Sequence, residues 1–358
     1  MKLAPARTVA FDVLRRVEGG AYASDLLVAR SAGLDSRDAG LAAEIVFGAL
    51  RFEAQLDYLI EHYSGRRQKL DAEVRVALRM GIYQLRYLER VPAHAAVADA
   101  VELVKRARKR SAAGLANAVL RKVNREPVAW PSREVELSCP EWLLARWERN
   151  YGGAAAGIAR AALREPVKYE VAGRRQDIGS QAIVPLLGIE PGQTFLDVCA
   201  APGNKTAQAV ACGARAVACD LHWHRLAQLK GLGAELAVLD GTRPLPFGRR
   251  FERILVDAPC SGTGTLGRNP EIKWRLRAED LADFRVRQTA LLRNALEALS
   301  PGGVLVYSTC SLEPEENEEV VGAVAPDLVC ETMRRLPGRD PGDGFYAAVL
   351  KSFLPANG

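Results

Sequence analysis

The 358-residue chain contains no apolar run of about 18 residues, the length a bilayer-spanning helix needs, and no apolar segment near its N-terminus. The first absence argues against a membrane span and the second against a signal peptide, so the expectation is a cytoplasmic protein with no membrane partner. No C-x-x-C pair occurs among the seven cysteines, which are odd in number and scattered mostly through apolar stretches. That argues against a zinc site or a disulfide frame and for free thiols in a reducing compartment, and no metal is expected. Neither G-x-G-x-x-G nor a P-loop is present, which makes NAD and ATP poor candidates for a cofactor. Internal repeats and low-complexity tracts are absent as well.

What is there begins with an uneven charge. Residues 1–130 carry 22 Lys and Arg against 15 Asp and Glu, whereas residues 131–358 carry 27 against 28. A basic N-terminal part joined to a neutral part is the pattern of a polyanion-binding module attached to something else, or of a solvated basic surface. Apolar residues at helical spacing (Val9, Val13, Leu14 and Val17; Leu41, Ile45, Val46 and Leu50; Val74, Leu78, Ile82 and Leu85) predict an all-helical domain over residues 1–126. Within it, the run Lys105-Arg106-Ala107-Arg108-Lys109-Arg110 reads as a cationic helix C-terminus or as a contact to a phosphate backbone. Residues 127–175 read as a connector punctuated by Pro127, Pro131 and Pro140, with helices near Glu141–Arg149 and Gly153–Leu163. A short strand at Val167–Val171 and a turn at Gly173-Arg174-Arg175 follow.

From residue 176 to 358 the pattern is strand–helix alternation, with strands expected at 194–198, 215–219, 235–239, 252–256, 303–307, about 328–332 and 345–350. This predicts an α/β domain with a mainly parallel, seven-stranded sheet. The stretch Asp197-Val198-Cys199-Ala200-Ala201-Pro202-Gly203-Asn204-Lys205-Thr206 organises it: a strand, a loop of small residues and a helix N-terminus, which together seat a nucleotide-like cofactor on free backbone N–H groups. Asp197, Asp220, Asp240 and Asp257 each stand at or near a strand's C-terminal end. One such Asp is ordinarily a cap or turn residue. Four beside a small-residue loop favour a nucleoside, with Asp220 placed for ribose hydroxyls and Asp240 for an adenine edge, and they suit the cation S-adenosylmethionine better than a pyrophosphate.

Cys260 and Cys310 follow two further strands, where these give way to polar Gly/Ser/Thr loops. The other five, Cys139, Cys199, Cys212, Cys219 and Cys330, read as small buried hydrophobes, although Cys199 also lies on the cofactor loop. A methyl donor and two thiols suggest methylation of carbon 5 of a pyrimidine, a poor nucleophile until a thiolate adds at carbon 6. Such chemistry needs a nucleophilic Cys, an acid near N3 and the exocyclic amine, and a group that assists release; Cys310, Asp257 and Cys260 are available for these roles. The base must be unstacked to reach them. Spacing alone leaves open which cysteine attacks.

These residues resemble the RNA cytosine-C5 methyltransferases, specifically the bacterial 16S rRNA enzymes of the RsmB (Sun/Fmu) type. The carriers are Asp197 to Thr206; Asp257-Ala258-Pro259-Cys260-Ser261-Gly262-Thr263-Gly264; Asn269-Pro270-Glu271-Ile272-Lys273-Trp274; Tyr307-Ser308-Thr309-Cys310-Ser311; and Asp343-Gly344-Phe345-Tyr346. Residues 44–51, 81–85, 92–97 and 117–121 are similar to the family's NusB-like RNA-binding domain, so the resemblance implies an all-α NusB-like domain followed by a Rossmann-like methyltransferase domain. It implies S-adenosyl-L-methionine held by Cys199, Ala200, Ala201, Pro202, Gly203, Asn204, Lys205, Asp220, Arg225, Asp240 and Asp257. It implies Cys310 as nucleophile, Cys260 as the thiol assisting release and Asp257 as the acid. The expected partner is 16S rRNA before full small-subunit assembly, bound by a monomer through Lys105, Arg106, Arg108, Lys109, Arg110 and Lys273. Three departures stand out. Asn204 replaces a glycine, Asn269 replaces a histidine, and Glu165–Arg175 runs almost directly into Gln176-Asp177, without the RRM-like segment of several dozen residues that the family carries there. The competing readings are an RNA-binding protein with a degenerate methyltransferase fold, a cytosine methyltransferase acting on tRNA, and a Rossmann-type dehydrogenase.

Overall fold

The computed structural model describes residues 3–65, 69–167, 169–171, 174–248 and 250–352. Chain contacts divide it into two units. One runs up to Glu165 and takes in Leu266–Arg275 as well; the other comprises Pro166–Thr265 and the chain from Leu276 onward.

The first unit is helical: α1 Pro5–Glu18, α2 Ala23–Ser31, α3 Ser36–Arg51, α4 Glu53–Ser64, α5 Ala72–Tyr87, α6 Ala93–Arg106, α7 Ala113–Lys122, α8 Arg133–Glu136, α9 Glu141–Tyr151 and α10 Ala155–Ala161. Local chemistry sets several ends. Pro5 opens α1, where a missing N–H costs nothing, and the Asp35 carboxylate accepts the Asp38 N–H at the start of α3. The apolar stripes read from the sequence become the core: Ile45, Val46, Leu56, Leu59, Leu78 and Ile82 are fully buried. An ion pair crosses this core, with Arg7 donating to Asp99 at 2.9 Å and to Gln84 at 2.6 Å. Residues 127–165, read as connector, stay with this unit; Trp147 on α9 is fully buried.

The second unit opens with a two-stranded antiparallel ribbon, β1 Glu170–Val171 and β2 Arg174–Arg175, and a short helix α11 Ile178–Gln181. Arg174 and Arg175 are thus strand rather than the expected turn, while Lys168 and Gly173, which belonged to the expected strand and turn, lie outside the described residues. The main sheet contains β3 Thr194–Asp197, β4 Arg215–Asp220, β5 Glu235–Val238, β6 Phe251–Asp257, β7 Leu299–Thr309, β8 Val329–Arg335 and β9 Phe345–Lys351 in the order β5-β4-β3-β6-β7-β9-β8. Pairings from β5 to β7 are parallel; β9 runs antiparallel between β7 and β8. The central strands are buried on both faces, as parallel strands are, with Phe195, Leu255 and Val306 in one cluster and Leu196, Ile254 and Leu305 in the other. Helices α12 Asn204–Ala211, α13 Trp223–Leu226, α15 Asp280–Glu297 and α16 Glu318–Val324 belong to this unit, and α14 Ile272–Arg275 to the first.

Strand order reverses at β3. The chain steps from β3 to β4 and β5 on one side, then returns to β6 and β7 on the other. Ligands of doubly wound sheets bind in the crevice at that point, outside the strands' C-terminal ends.

Candidate active site

The loop between β3 and α12 bends sharply. Gly203 adopts φ +99°, a left-handed conformation, and a Cβ there would stand 2.6 Å from Leu229, so only glycine fits. The turn is pinned by Gly203 N–H to the Ala200 carbonyl and Ala200 N–H to the Cys219 carbonyl, both 2.7 Å. Asp197, at the end of β3 and 1% exposed, accepts the Thr206 hydroxyl at 2.7 Å, while its Oδ1 has no hydrogen-bond partner among the described residues. Burial raises its pKa to about 7 against the pull of Thr206. Raised from the ordinary 3.8, this group stabilises the fold fully only below about pH 4 and loses that contribution as pH climbs through 7, by about 4 kcal/mol at 1.36 kcal/mol per unit. Asp197→Asn is expected to lack this slope. Denaturant unfolding at pH 5 and pH 8 measures it, and a variant with the wild-type difference between the two would refute it.

Asn204 has a specific task. Its amide accepts from Arg174 Nε at 2.8 Å and donates to the Arg175 carbonyl at 3.1 Å, and Arg174 also donates to the Pro202 carbonyl. Asn204 thus ties the short ribbon to the cofactor loop. Gln176 extends the anchorage with a 2.9 Å bond to Gln208 on α12.

The strand-end carboxylates are arrayed along the crevice. Asp220 is buried; it accepts the His222 N–H at 3.0 Å and has Arg225 at 3.8 Å, while Arg225 also donates to the Ala201 carbonyl. Asp240 lies two residues past β5 and is half-buried, and bonds from the Thr242 hydroxyl and N–H hold its pKa below the usual range. Asp220 is paired in register with Val238, and the apolar residues next to these acids are unusually exposed, Leu221 at 56% and Val238 at 53%. Carboxylate acceptors beside bare apolar faces fit a ribose and a purine. The residues present therefore fit S-adenosylmethionine, and Leu221 and Val238 join the set that could hold it; their isolated positions after strands offered no sequence signal.

Beyond β6 and β7 the reactive groups meet. Asp257 pairs in register with Ser308, so Cys260, three residues past one, and Cys310, two past the other, are delivered to the same spot. Their sulfurs are 3.3 Å apart. Asp257 accepts from Lys205 Nζ at 2.6 Å and from the Ser308 hydroxyl at 2.8 Å. Burial disfavours charge on Lys205, yet the ion pair outweighs it and its pKa stays raised, with Cys310 also within its electrostatic reach. The hydrogen bond with Cys310, and burial after it, hold the Cys260 thiol well above its ordinary pKa, so Cys260 keeps its proton. Gly264 lets the two loops close: its N–H donates to the Cys310 carbonyl at 2.9 Å, and a Cβ would sit 2.8 Å from that oxygen. Sequence reasoning missed Ser308 as a partner of Asp257. It also missed Glu316, whose neighbours Glu315, Glu318 and Glu319 make it look like part of an exposed acidic run.

The remaining cysteines divide. Cys139 and Cys219 are buried, as expected; Cys199 is partly buried, with its thiol pKa raised by burial and then by Asp197; Cys212 and Cys330, expected inside, are exposed. Among the described residues no cluster of His, Cys, Asp and Glu could hold a metal ion.

The expected RNA contacts also divide. Lys273 is a correction: its side chain is wholly buried in the helical unit and donates to the Arg51 carbonyl at 2.7 Å, and burial presses its pKa down to about 8. It is a structural residue with no surface to offer RNA. The run 105–110 does reach the surface but is not one continuous helix end. Arg108 N–H bonds the Lys105 carbonyl, Lys109 N–H bonds the Val104 carbonyl, and Arg108 sits between them at φ +63°, a left-handed helix stop that usually holds glycine. Lys105 and Arg106 share Glu102, and Lys109 pairs with Asp71. Arg108→Gly is expected to raise stability by about 1 kcal/mol by relieving this conformation while weakening RNA binding. Unchanged RNA affinity would leave Arg108 no role beyond the turn.

A model of the 16S rRNA methyltransferase RsmB/F family matches residues 184–327, and one of the NusB family matches residues 4–125. The chain is 37% identical over 357 positions to the ribosomal RNA small subunit methyltransferase B of Thermus thermophilus, covering 90% of this chain and 88% of that one. It is 31% identical to the probable ribosomal RNA small subunit methyltransferase B of Bacillus subtilis, covering 94% and 93%. That alignment spans 416 positions, more than the 358 residues available here, so the relative carries residues without a counterpart. The crystal structure of PH0851 shares the fold, with a TM-score of 0.78 over 98% of this chain and all of that one, at 20% identity. A NusB-type helical part, a seven-stranded methyltransferase sheet and relatives matched over nearly their full length together place this chain in the RsmB/F family of 16S rRNA methyltransferases.

Proposed function

We propose that the protein methylates carbon 5 of a cytosine in 16S rRNA, acting as a monomer before the small subunit is fully assembled. The observation that carries this reading is the pair of thiols at 3.3 Å beside the Lys205–Asp257 ion pair, at the C-terminal end of adjacent parallel strands. S-adenosylmethionine supplies an electrophilic methyl group. The loop Cys199–Lys205, Asp220, Arg225 and Asp240 would hold it, together with the exposed apolar side chains of Leu221 and Val238. Cys310 Sγ forms a bond to carbon 6 of the flipped cytosine, which makes carbon 5 nucleophilic. Asp257, oriented by Lys205 and Ser308, accepts from the exocyclic amine and keeps the ring in place. Carbon 5 would then take the methyl group and release its proton to solvent, the ring double bond re-forms, and Cys310 leaves carbon 6 as a thiolate; Cys260, held as a thiol, assists that departure by donating a hydrogen bond to the leaving sulfur. Lys105, Arg106, Arg108, Lys109 and Arg110 bind the RNA backbone.

The test is methyl transfer from labelled S-adenosylmethionine to protein-free 16S rRNA, with the position mapped by bisulfite sequencing. One modified cytosine is the expected result. Modification of tRNA alone would move the assignment to another RNA, and cofactor binding without transfer to any RNA would support the degenerate-enzyme reading instead. The strand Arg174–Arg175 favours no such loss, since it is fastened to the cofactor loop.

A further inference from the structure

Between the two cysteine loops lies a carboxylate that the chemistry above does not use. Glu316 is completely buried, a costly place for a charge unless donors surround it. Four do. Its Oε2 accepts the Ser261 N–H at 2.8 Å and the Gln288 amide at 2.9 Å, and its Oε1 accepts the hydroxyls of Ser261 and Ser311. Ser261 directly follows Cys260 and Ser311 directly follows Cys310, and the two hydroxyls are themselves 3.1 Å apart. Gln288, on α15, donates to the Pro259 carbonyl as well, gripping the residue before Cys260. The carboxylate is held from behind, where the Tyr307 hydroxyl donates to the Glu316 carbonyl at 2.6 Å and Asn317 donates to the Ser311 carbonyl at 3.0 Å.

We propose that Glu316 is a positioning residue, a buried carboxylate clamp that holds the loops after β6 and β7 together so that the two thiols stay within reach of each other. The inference rests on the two-thiol reading given above and adds to it the group that sets the separation. Charge matters as well as shape. A carboxylate accepts on both oxygens, whereas a glutamine of the same size would turn an NH2 group toward either the two N–H donors or the two hydroxyls. The hydroxyls of Ser261 and Ser311 can accept from an NH2 turned toward them, so a neutral isostere keeps the contacts but gives up the charge-assisted strength of four bonds to a carboxylate, which loosens the clamp and lets the loops part. Glu316 also lies close enough to Cys260 to add, after the Cys310 hydrogen bond and burial, to the forces that keep that thiol protonated.

The experiment uses the full-length protein and phenylarsine oxide, which bridges two neighbouring thiols with loss of one water and does not depend on RNA or methyl transfer. Wild type is expected to bridge Cys260 to Cys310 rapidly. Glu316→Gln is expected to bridge them about tenfold or more slowly and to lose about a hundredfold in kcat, the scale of a misplacement of roughly 1 Å. Its affinity for S-adenosylmethionine and the alkylation of exposed Cys212 and Cys330 should stay at wild-type values, which separates a moved clamp from a damaged fold. Ser311→Ala, which removes one donor and leaves three, is the milder companion should the glutamine variant not fold, and it should shift both quantities in the same direction. Wild-type bridging in the variants would overturn the proposal. So would slowed bridging with undiminished kcat, since the separation would then not matter to the reaction. Failure of the two-thiol reading shows elsewhere: Cys310→Ala would turn over normally whatever the bridging rates.

Discussion

Cys310→Ala is expected to lose methyl transfer almost entirely, by roughly 10⁴- to 10⁶-fold, as enzymes do when a covalent nucleophile is removed. In the proposed mechanism the other groups around Cys310 orient and hold, and Cys310 alone makes carbon 5 nucleophilic. Cys260, its neighbour at 3.3 Å, is not expected to replace it: the hydrogen bond from Cys310 goes with the removed sulfur, but burial and the Glu316 carboxylate still hold the Cys260 thiol above its ordinary pKa. The same asymmetry sets the expectation for Cys260→Ala. Attack by Cys310 survives, release is impaired, and enzyme accumulates bound covalently to RNA, visible as a gel shift that persists in denaturant. Single-turnover assays with labelled S-adenosylmethionine read the first outcome, and wild-type turnover in Cys310→Ala would sink the nucleophile assignment. A turnover-competent Cys260→Ala preparation with no denaturant-stable shift would remove Cys260 from the release step.

Asp257→Asn should separate thiol reactivity from catalysis. Asp257 now neutralises Lys205 through a 2.6 Å bond, and Cys310 lies within reach of the same ammonium. Without the carboxylate, more of the charge of Lys205 falls on its remaining neighbours Cys310 and Asp197, and an opposite charge favours a thiolate. Iodoacetamide should then label Cys310 faster at pH 7 than in wild type. Methyl transfer should nevertheless fall about a hundredfold or more, because the cytosine amine loses its acceptor and Lys205, 11% exposed, loses its partner. Faster labelling with slower transfer is the diagnostic pair. If both rose together, Asp257 would be a brake on the nucleophile and not a binder of the base.

How much of this was legible can be read from particular residues. The seven strands of the sheet were visible because buried parallel strands are short apolar runs bounded by turn residues, and all seven lie within a few residues of where the sequence placed them. The cofactor loop was visible because a strand, small residues and a helix start are consecutive in the chain. Cys260 and Cys310 were visible as strand-end residues. Their shared location was only a possibility until register paired Asp257 with Ser308. Glu316 was not visible, since a buried carboxylate with four donors and an exposed one look the same in a sequence. Lys273 misled for the complementary reason: a lysine in a sequence looks like a surface cation available to RNA, and only the tertiary structure shows it buried and bonded to the Arg51 carbonyl.

The segment 266–275 marks the boundary between the two kinds of knowledge. In the chain it lies between β6 and α15 of the methyltransferase unit, and nothing local separates it from them. In space it belongs to the helical unit, where Glu271 accepts the Ala23 N–H at 2.9 Å and Arg275 donates to the carbonyls of Val17 and Ala21. By itself the sequence determined what depends on consecutive residues: the helical and α/β halves, the cofactor loop, the strand-end acids and the absence of a membrane-spanning run. The tertiary structure alone decided what depends on residues far apart in the chain: the meeting of two thiols fifty positions apart, the partners of Asp257 and Glu316, the burial of Lys273 and the allegiance of 266–275. Periodicity and turn chemistry act over a few residues and leave a local signature. Register, burial and buried hydrogen bonds are set by which distant segments pack together, and no short stretch of sequence records that.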